Sequence, residues 1–112
     1  MGRSEESEQI AVVDYCNIKG IPIIHIPNEG KRTKAYGGKL KRMGMKPGFP
    51  DLLILVARGR YHGFAIEMKF GSNKPTPSQR EWLSRLSREG YATSVCYSAD
   101  EAIRLINKYF EL

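Results

Sequence analysis

The chain has 112 residues, 18 Lys and Arg against 12 Asp and Glu, and a formal net charge of +6. With 41% hydrophobic residues it can bury a core, and this composition excludes long disorder, collagen-like repeats, coiled-coil arrays and disulfide-stapled miniproteins. Since domains usually contain about 100–150 residues, we expect a single domain over residues 1–112. The sequence contains neither a run of roughly 18 apolar residues nor a signal-like N-terminus, so we expect a cytoplasmic protein and no membrane partner.

The cysteines and histidines limit the metal chemistry that the chain can support. Cys16 and Cys96 lie far apart in apolar segments, which indicates buried reduced thiols rather than a disulfide. Since only His25 and His62 accompany them, we do not expect a zinc site with four Cys and His ligands. The positive charge instead indicates an anionic partner such as nucleic acid.

The N-terminal elements are predicted to be a helix and a short strand. The helix runs from Ser4 to about Lys19, because it has an acidic first turn and apolar residues at helical spacing and stops before Gly20. The β-branched run Ile21–Ile26 predicts a strand that ends at Pro27.

A basic segment over residues 28–49 follows, with no acidic residue between Glu29 and Asp51. Its glycines and its lack of hydrophobic periodicity predict one long loop. A cationic loop suits a phosphate backbone, because it neutralises charge and releases counterions; the alternative is a solvated, partly disordered connection. The candidate nucleic-acid-binding residues in it are Lys31, Arg32, Lys34, Lys39, Lys41, Arg42 and Lys46.

Two central strands are predicted around a turn at Arg58–Arg60. Leu52–Val56 is continuously apolar, which indicates a strand buried on both faces. The next run alternates with the period of two expected of a strand: Phe64, Ile66, Met68 and Phe70 against Ala65, Glu67, Lys69 and Gly71.

The C-terminal third predicts a helix, a strand over Tyr91–Tyr97 and a further helix. Thr76, Pro77 and Gln79 form the N-cap, first position and capping box of the first of these helices, and Ser98–Glu101 predicts a second capping box. The order α-β-β-β-α-β-α indicates an α/β domain with a mixed sheet of about four strands flanked by helices. The face of the first helix that we expect to be buried consists of Trp82, Leu83 and Leu86.

Asp51 and Glu67 are equidistant from Gly59 in the sequence. In an antiparallel hairpin that is symmetric about this glycine they face each other, with Cβ atoms roughly 5 Å apart. Lys69 projects from the same face as Glu67 because side chains alternate along a strand. A one-residue slip in register would destroy this cluster.

Two close carboxylates and an ammonium are suited to phosphodiester hydrolysis. The carboxylates repel in a low-dielectric setting unless a cation lies between them, and oxygen ligands favour Mg²⁺ or Mn²⁺. Lys69 would orient or deprotonate the attacking water, or stabilise the developing charge. The alternative is a surface Glu67–Lys69 ion pair beside an Asp51 that merely opens a strand.

These residues carry a family resemblance. Pro50-Asp51 followed by Glu67-Met68-Lys69 resembles the PD-(D/E)xK nuclease signature. The wider pattern is similar to the VRR-NUC branch of those nucleases and consists of His25–Glu29, Gly48–Leu52, Glu67–Lys69, and Thr76–Gln79 followed by Trp82. The resemblance spans nearly the whole chain and implies a restriction-endonuclease-like fold in a stand-alone domain of the phage or bacterial type, hence the cytoplasm of a bacterium or phage-infected host.

The resemblance also implies specific roles at a metal site. Asp51 and Glu67 would be metal ligands, the Met68 carbonyl a further ligand, and Lys69 the catalytic lysine of a reaction that leaves a 5′-phosphate. The family pattern places Gln79 near the active centre, beyond its role in the capping box. Asn28, in the His25–Glu29 motif, is a weaker candidate for nucleic-acid binding.

The family also places an acidic residue of the first helix near the metal. Glu5 is our first choice because it shares a helix face with Gln9, with Glu8 as runner-up and Glu6 as the third candidate. The alternative is an ordinary acidic first turn.

Stand-alone members of this branch resemble dimeric Holliday-junction resolvases, in which two sites cut two strands, so the resemblance implies a homodimer. The leading hypothesis is an Mg²⁺- or Mn²⁺-dependent, structure-selective DNA endonuclease that acts on branched DNA. The alternatives are a flap, nick or general nuclease of the same chemistry, and a non-catalytic basic nucleic-acid-binding module.

Overall fold

A four-stranded mixed sheet organises the chain, whose structure is a computed structural model that describes residues 2–27 and 33–112. The strands lie in the order β1-β2-β3-β4, and helices flank them as the sequence predicts. In chain order the elements of these ranges are α1 (Glu5–Lys19), β1 (Ile23–His25), α2 (Lys34–Arg42), β2 (Leu52–Ile54), β3 (Phe64–Met68), α3 (Pro77–Arg88), β4 (Ala92–Cys96) and α4 (Ala99–Tyr109). None of these helices is both long and apolar enough to cross a membrane.

The prediction that residues 28–49 form one long loop is wrong for α2. Thr33 caps this helix, and its side chain accepts a hydrogen bond from the Tyr36 amide at 3.1 Å. No residue of α2 is buried, and its two adjacent glycines have a low helix propensity. Tyr36, Leu40 and Met43 recur at helical spacing, but this weak signal did not outweigh the glycines. Residues 28–32, among them Asn28, Lys31 and Arg32, lie outside the described residues.

The register of the β2–β3 hairpin is the predicted one. Strands β1, β2 and β3 are antiparallel, and Leu52 pairs with Ile66 while Ile54 pairs with Phe64. The turn itself is offset, because the backbone groups of Arg58 and Tyr61 bond each other at 3.1 and 2.9 Å. The β2 side therefore has one extra residue between strand and turn, an irregularity of the bulge type.

Strand β3 is the centre of the sheet and is buried along its whole length. It pairs with β2 on one side and, in parallel, with β4 on the other, and helices cover both of its faces. Alternating side chains therefore enter two layers, Ile66 toward α1 and α4 and Glu67 toward α3. The main core lies in the first layer and contains Val12, Cys16, Leu52, Ile54, Phe64, Ile66, Met68, Cys96, Ala99, Ala102, Ile106 and Tyr109. Both cysteines are buried free thiols, as predicted.

The N-termini of three helices meet at one end of this sheet. The Glu8 carboxylate of α1 accepts a hydrogen bond from the Ala99 amide of α4 at 2.9 Å, and Gln79 of α3 contacts Glu67 at the end of β3. The positive ends of the helix dipoles favour anionic groups at this end of the sheet.

The two predicted capping boxes differ in outcome. In α3 both contacts form, between the Thr76 side chain and the Gln79 amide and between the Gln79 side chain and the Thr76 amide. In α4 the Ser98 hydroxyl accepts from the Glu101 amide, but the Glu101 carboxylate accepts from the Tyr97 amide at 2.6 Å. The second box is thus shifted by one residue, because the chain leaving β4 presents Tyr97 to the carboxylate.

Candidate active site

Asp51 is held from two sides at the entrance to β2 and is only 5% exposed. Its Oδ2 atom accepts a hydrogen bond from the Met68 amide of β3 at 2.9 Å. Its main-chain carbonyl accepts from the Ile26 amide at 2.8 Å and lies 2.9 Å from His25 Nδ1. The side chain is therefore fixed to β3 while the backbone is fixed to the edge strand β1.

Glu67 and Lys69 form a buried ion pair at the end of β3. Glu67 is 1% exposed and Lys69 is 8% exposed, and Lys69 Nζ lies 3.7 Å from Glu67 Oε2. Water screens a pair of this burial poorly, so removing either partner would leave a costly uncompensated charge. The alternative interpretation of these two residues is an ion pair on the surface. Their burial excludes a surface position.

Gln79 joins the helix cap to this ion pair. Its Nε2 atom donates to Glu67 Oε2 at 3.2 Å, and its Oε1 atom accepts from the Thr76 amide at 2.8 Å. The two roles considered for this residue, closing the capping box and lying at the active centre, are therefore compatible, since each uses a different end of the amide. Gln79 is buried, so bulk water does not compete for either contact.

The structure separates the acidic candidates of the first helix. Glu5 and Glu6 line a cavity of about 330 Å³ together with Asp51, whereas Glu8 bonds to α4 and to Arg3 at 3.4 Å. Glu5 is half-buried and Glu6 is exposed. Within residues 2–27 and 33–112, no three Cys, His, Asp or Glu side chains are gathered closely enough to hold one metal ion.

The candidate DNA-binding residues that the structure describes lie on exposed surface outside this cluster. Lys34, Lys39 and Arg42 border one open groove along α2, and Lys41 is exposed on the same helix. Lys46 instead borders a second cavity, which is shared with α3. The described part of the basic segment therefore contributes cations to two different surfaces.

Gly48 has a positioning role that the sequence analysis missed. Its φ is +87°, and a Cβ atom there would lie 2.6 Å from the Ser78 carbonyl carbon and 2.8 Å from the Gln79 amide nitrogen. The segment that leads to Asp51 therefore packs directly on the first turn of α3. The signal was available in the Gly48–Leu52 motif, where a glycine stands three residues before the aspartate.

The comparison with known proteins identifies the family. The family model for the VRR-NUC domain matches residues 3–100. The chain belongs to the VRR-NUC domain family. Members of this family are nucleases of the PD-(D/E)xK type, which act on DNA, so the predicted family and the general nuclease assignment are confirmed at that level.

Two solved structures resemble this VRR-NUC domain. One, described as a VRR-NUC domain protein, is 38% identical with a TM-score of 0.85, and the match covers 100% of this chain and 92% of that chain. The other, described as a VRR-NUC domain, is 24% identical with a TM-score of 0.64, covers 94% of this chain and 96% of that chain, and shows the fold alone. None of the curated proteins matches the sequence significantly.

The donor set at the sheet end fits a hard divalent cation. PD-(D/E)xK domains generally use divalent metals, and Asp51 and Glu67 offer buried carboxylate oxygens on neighbouring strands. Carboxylate oxygens suit Mg²⁺ and Mn²⁺, whereas the nearby His25 nitrogen Nδ1 is already engaged with the Asp51 carbonyl.

Proposed function

We propose that this VRR-NUC domain is an Mg²⁺- or Mn²⁺-dependent endonuclease that hydrolyses phosphodiester bonds in branched DNA, in the manner of a Holliday-junction resolvase. The observation that carries the proposal is the buried Glu67–Lys69 pair, which lies beside Asp51 and is held by Gln79. Burying such a pair costs desolvation energy that its mutual attraction only partly offsets, which favours a functional reason for keeping it at the end of a strand.

Each residue of the cluster has a separate task in this proposal. Asp51 and Glu67 would hold the metal, with the Met68 carbonyl as a further ligand. Glu5 lines the same cavity as Asp51, and we extend the ligand set to it although its carboxylate is not gathered with those of Asp51 and Glu67 in the described structure. The bound ion would supply a Lewis acid and a water of lowered pKa. Lys69 orients the attacking water and offsets negative charge on the phosphate, and Gln79 keeps the Glu67 carboxylate in a single orientation.

The basic residues provide the affinity for DNA. Lys34, Lys39, Lys41 and Arg42 of α2, together with Lys46, are exposed cations that can neutralise backbone phosphates, and we extend this role to Asn28, Lys31 and Arg32. Backbone contacts of this kind select for the shape of the DNA rather than for its sequence.

The described residues contain one catalytic cluster, so one chain would cut one strand. We therefore propose a homodimer with two-fold symmetry, in which each copy cuts one of two opposed strands of a junction. The proposed setting is the cytoplasm of a bacterium or a phage-infected host.

One assay tests the proposal. Purified protein is incubated with Mg²⁺ or Mn²⁺ and with four-way junction, flap, single-stranded or duplex DNA. We expect two symmetric nicks in the junction, little cutting of the duplex, and no cutting in EDTA. Cutting of flaps in preference to junctions would instead indicate a flap nuclease of the same chemistry.

Two variants assign the activity to the cluster. Glu67→Gln should abolish cleavage while DNA binding survives, and Glu111→Gln, which removes an exposed carboxylate at the C-terminus, should cut normally. Cleavage that persists in Glu67→Gln or in EDTA would overturn the proposed site. Binding without any cleavage by the unmodified protein would leave only a binding module.

A further inference from the structure

A second cavity, of about 390 Å³, lies along the outer side of α3. The chain segment between α2 and β2 forms its opposite wall. Its lining residues are Lys46, Pro47, Ser78, Glu81, Trp82, Arg85 and Arg88. Five of these lie on α3 within a sector of about 120°, since successive residues are related by about 100° around a helix.

This cavity adjoins the catalytic cluster but does not belong to it. Gln79, which contacts Glu67, lies on the neighbouring face of the same helix. The rings of Trp82 and Phe49 form a T-shaped pair with centroids 5.2 Å apart, and Phe49 lies two residues before Asp51. Arg85 lies about 9 Å and Arg88 about 14 Å from Gln79 along the helix axis, at about 1.5 Å per residue.

The charges in the cavity favour an anion. Lys46, Arg85 and Arg88 oppose a single lining carboxylate, Glu81. The ion pair of Arg85 with Glu89, at 3.2 Å, joins two well-exposed side chains and contributes little, so a phosphate can displace it. Among the described residues Arg88 forms no ion pair.

The cavity also has an aromatic wall. Trp82 is half-buried, so part of its ring borders the cavity while Phe49 packs against the ring in a T-shaped arrangement. Aromatic rings beside cationic side chains are the usual means of binding a nucleic acid strand without reading its sequence.

We propose that this cavity binds backbone phosphates of the DNA strand as it leaves the catalytic site, with Trp82 against a sugar or base. The inference rests on the proposed nuclease function, because the strand must pass through that site. Consider a strand that runs along α3 from the cluster at Gln79, at about 3.4 Å per nucleotide. Arg85 and Arg88, about 9 and 14 Å along this path, then contact phosphates about three and four nucleotides from the cut.

The matched pair of variants for the test is Arg85→Gln/Arg88→Gln and Arg60→Gln/Lys108→Gln. Each removes two exposed positive charges. The control pair lies at the opposite end of the sheet, near the hairpin turn, where the Arg58 guanidinium lies over the Phe110 ring at the end of α4. DNA binding is measured by fluorescence anisotropy in EDTA, so the result does not depend on whether the protein cuts.

We expect Arg85→Gln/Arg88→Gln to weaken binding at 100 mM salt by about tenfold to a hundredfold. The slope of log affinity against log salt should fall by about two, at about 0.9 per phosphate contact. The control pair should bind like the unmodified protein. Equal losses in both pairs, or an unchanged salt slope, would overturn the proposal.

Trp82 supplies a local readout, because it is the chain's one tryptophan. Its fluorescence should change when an unlabelled oligonucleotide binds. In the anisotropy titration, Glu81→Gln should tighten binding, because it removes the one carboxylate that lines the cavity. DNA binding that leaves the Trp82 emission unchanged would overturn the proposal even if the protein proves to be a nuclease. Failure of the nuclease proposal would show instead as DNA binding at this cavity without metal-dependent cleavage.

Discussion

Gln79 donates a hydrogen bond to Glu67 across 3.2 Å while the opposite end of the same amide caps α3. Helix stability and the orientation of the Glu67 carboxylate therefore depend on one side chain. Since Glu67 also lies 3.7 Å from Lys69, a movement of the first turn of α3 would be transmitted to the ion pair. The N-terminus of α3 is thus part of the catalytic apparatus in the proposed mechanism.

The first prediction separates the two functions of Gln79. Gln79→Ala removes both contacts, and we expect the free energy of unfolding to fall by about 1 kcal/mol and the cleavage rate by about 10- to 100-fold. Thr76→Ala is the control, because it removes the side-chain cap but leaves the Gln79–Glu67 contact. It should lose similar stability in thermal unfolding and keep its cleavage rate; an equal loss of rate in both variants would mean that Gln79 acts only through the cap.

The second prediction concerns the two ways of removing the Asp51 carboxylate. Asp51→Asn keeps an oxygen that can accept from the Met68 amide, whereas Asp51→Ala leaves that buried amide unsatisfied at a cost of about 1–3 kcal/mol. Both variants should lose metal-dependent cleavage, but only the alanine variant should unfold at clearly lower denaturant. Retained cutting by Asp51→Asn would contradict the assignment of Asp51 as a metal ligand.

The sequence was most informative where local chemistry decides the structure. The pairing of Leu52 with Ile66 followed from two apolar runs around a glycine turn, even though the turn itself is offset by one residue. The Thr76 capping box followed from residue types at fixed spacing. Both features depend on neighbouring residues in the chain, which is why a single sequence predicts them.

The features that escaped prediction depend on tertiary contacts or on solvent-exposed positions. Helix α2 buries no side chain and contains two adjacent glycines, so Tyr36 and Leu40 at helical spacing are only a weak sign of it. The need for glycine at position 48 arises from α3, which lies about 30 residues further along the chain. The cavity bordered by Arg85 and Arg88 exists only because the segment before β2 packs against that helix.

The third prediction addresses the basic helix α2. Replacing Lys39, Lys41 and Arg42 with Gln should weaken DNA binding and lower its salt dependence, because each cation that contacts a phosphate releases a counterion. All three side chains are exposed, so circular dichroism and thermal unfolding should change little. Unchanged salt dependence in anisotropy titrations would place the main DNA contacts elsewhere.

The fourth prediction tests the close approach at Gly48. Gly48→Ala combines a positive φ with a 2.6 Å contact to the Ser78 backbone, so either Asp51 or the first turn of α3 must shift. We expect a loss of about 1–3 kcal/mol in unfolding and a marked loss of cleavage.

Two other glycines provide controls for that variant. Gly44→Ala meets a positive φ of +107° in open space, and therefore isolates the backbone strain. Gly38→Ala lies within α2 with nothing inside 4 Å, and should stabilise the helix by up to about 1 kcal/mol. A Gly48 variant no worse than the Gly44 variant in both stability and cleavage would show that the contact with α3 is unimportant.

The fifth prediction follows from the buried thiols. Burial raises the pKa of Cys96 to about 11, and burial also raises the pKa of Cys16. Above pH 8.5 or so an unfolded thiol ionises while the folded thiol keeps its proton, so the unfolded state binds fewer protons and stability falls as pH rises. Between about pH 8.5 and 11 the free energy of unfolding should therefore decrease, by as much as about 1.4 kcal/mol per pH unit for Cys96, and Cys16 should contribute in the same direction. In denaturant titrations across this range, the free energy of unfolding of Cys96→Ala should decline less steeply with pH. A thiol reagent at pH 8 should react rapidly with the protein only after unfolding. Rapid reaction of both thiols in the folded protein would contradict their burial.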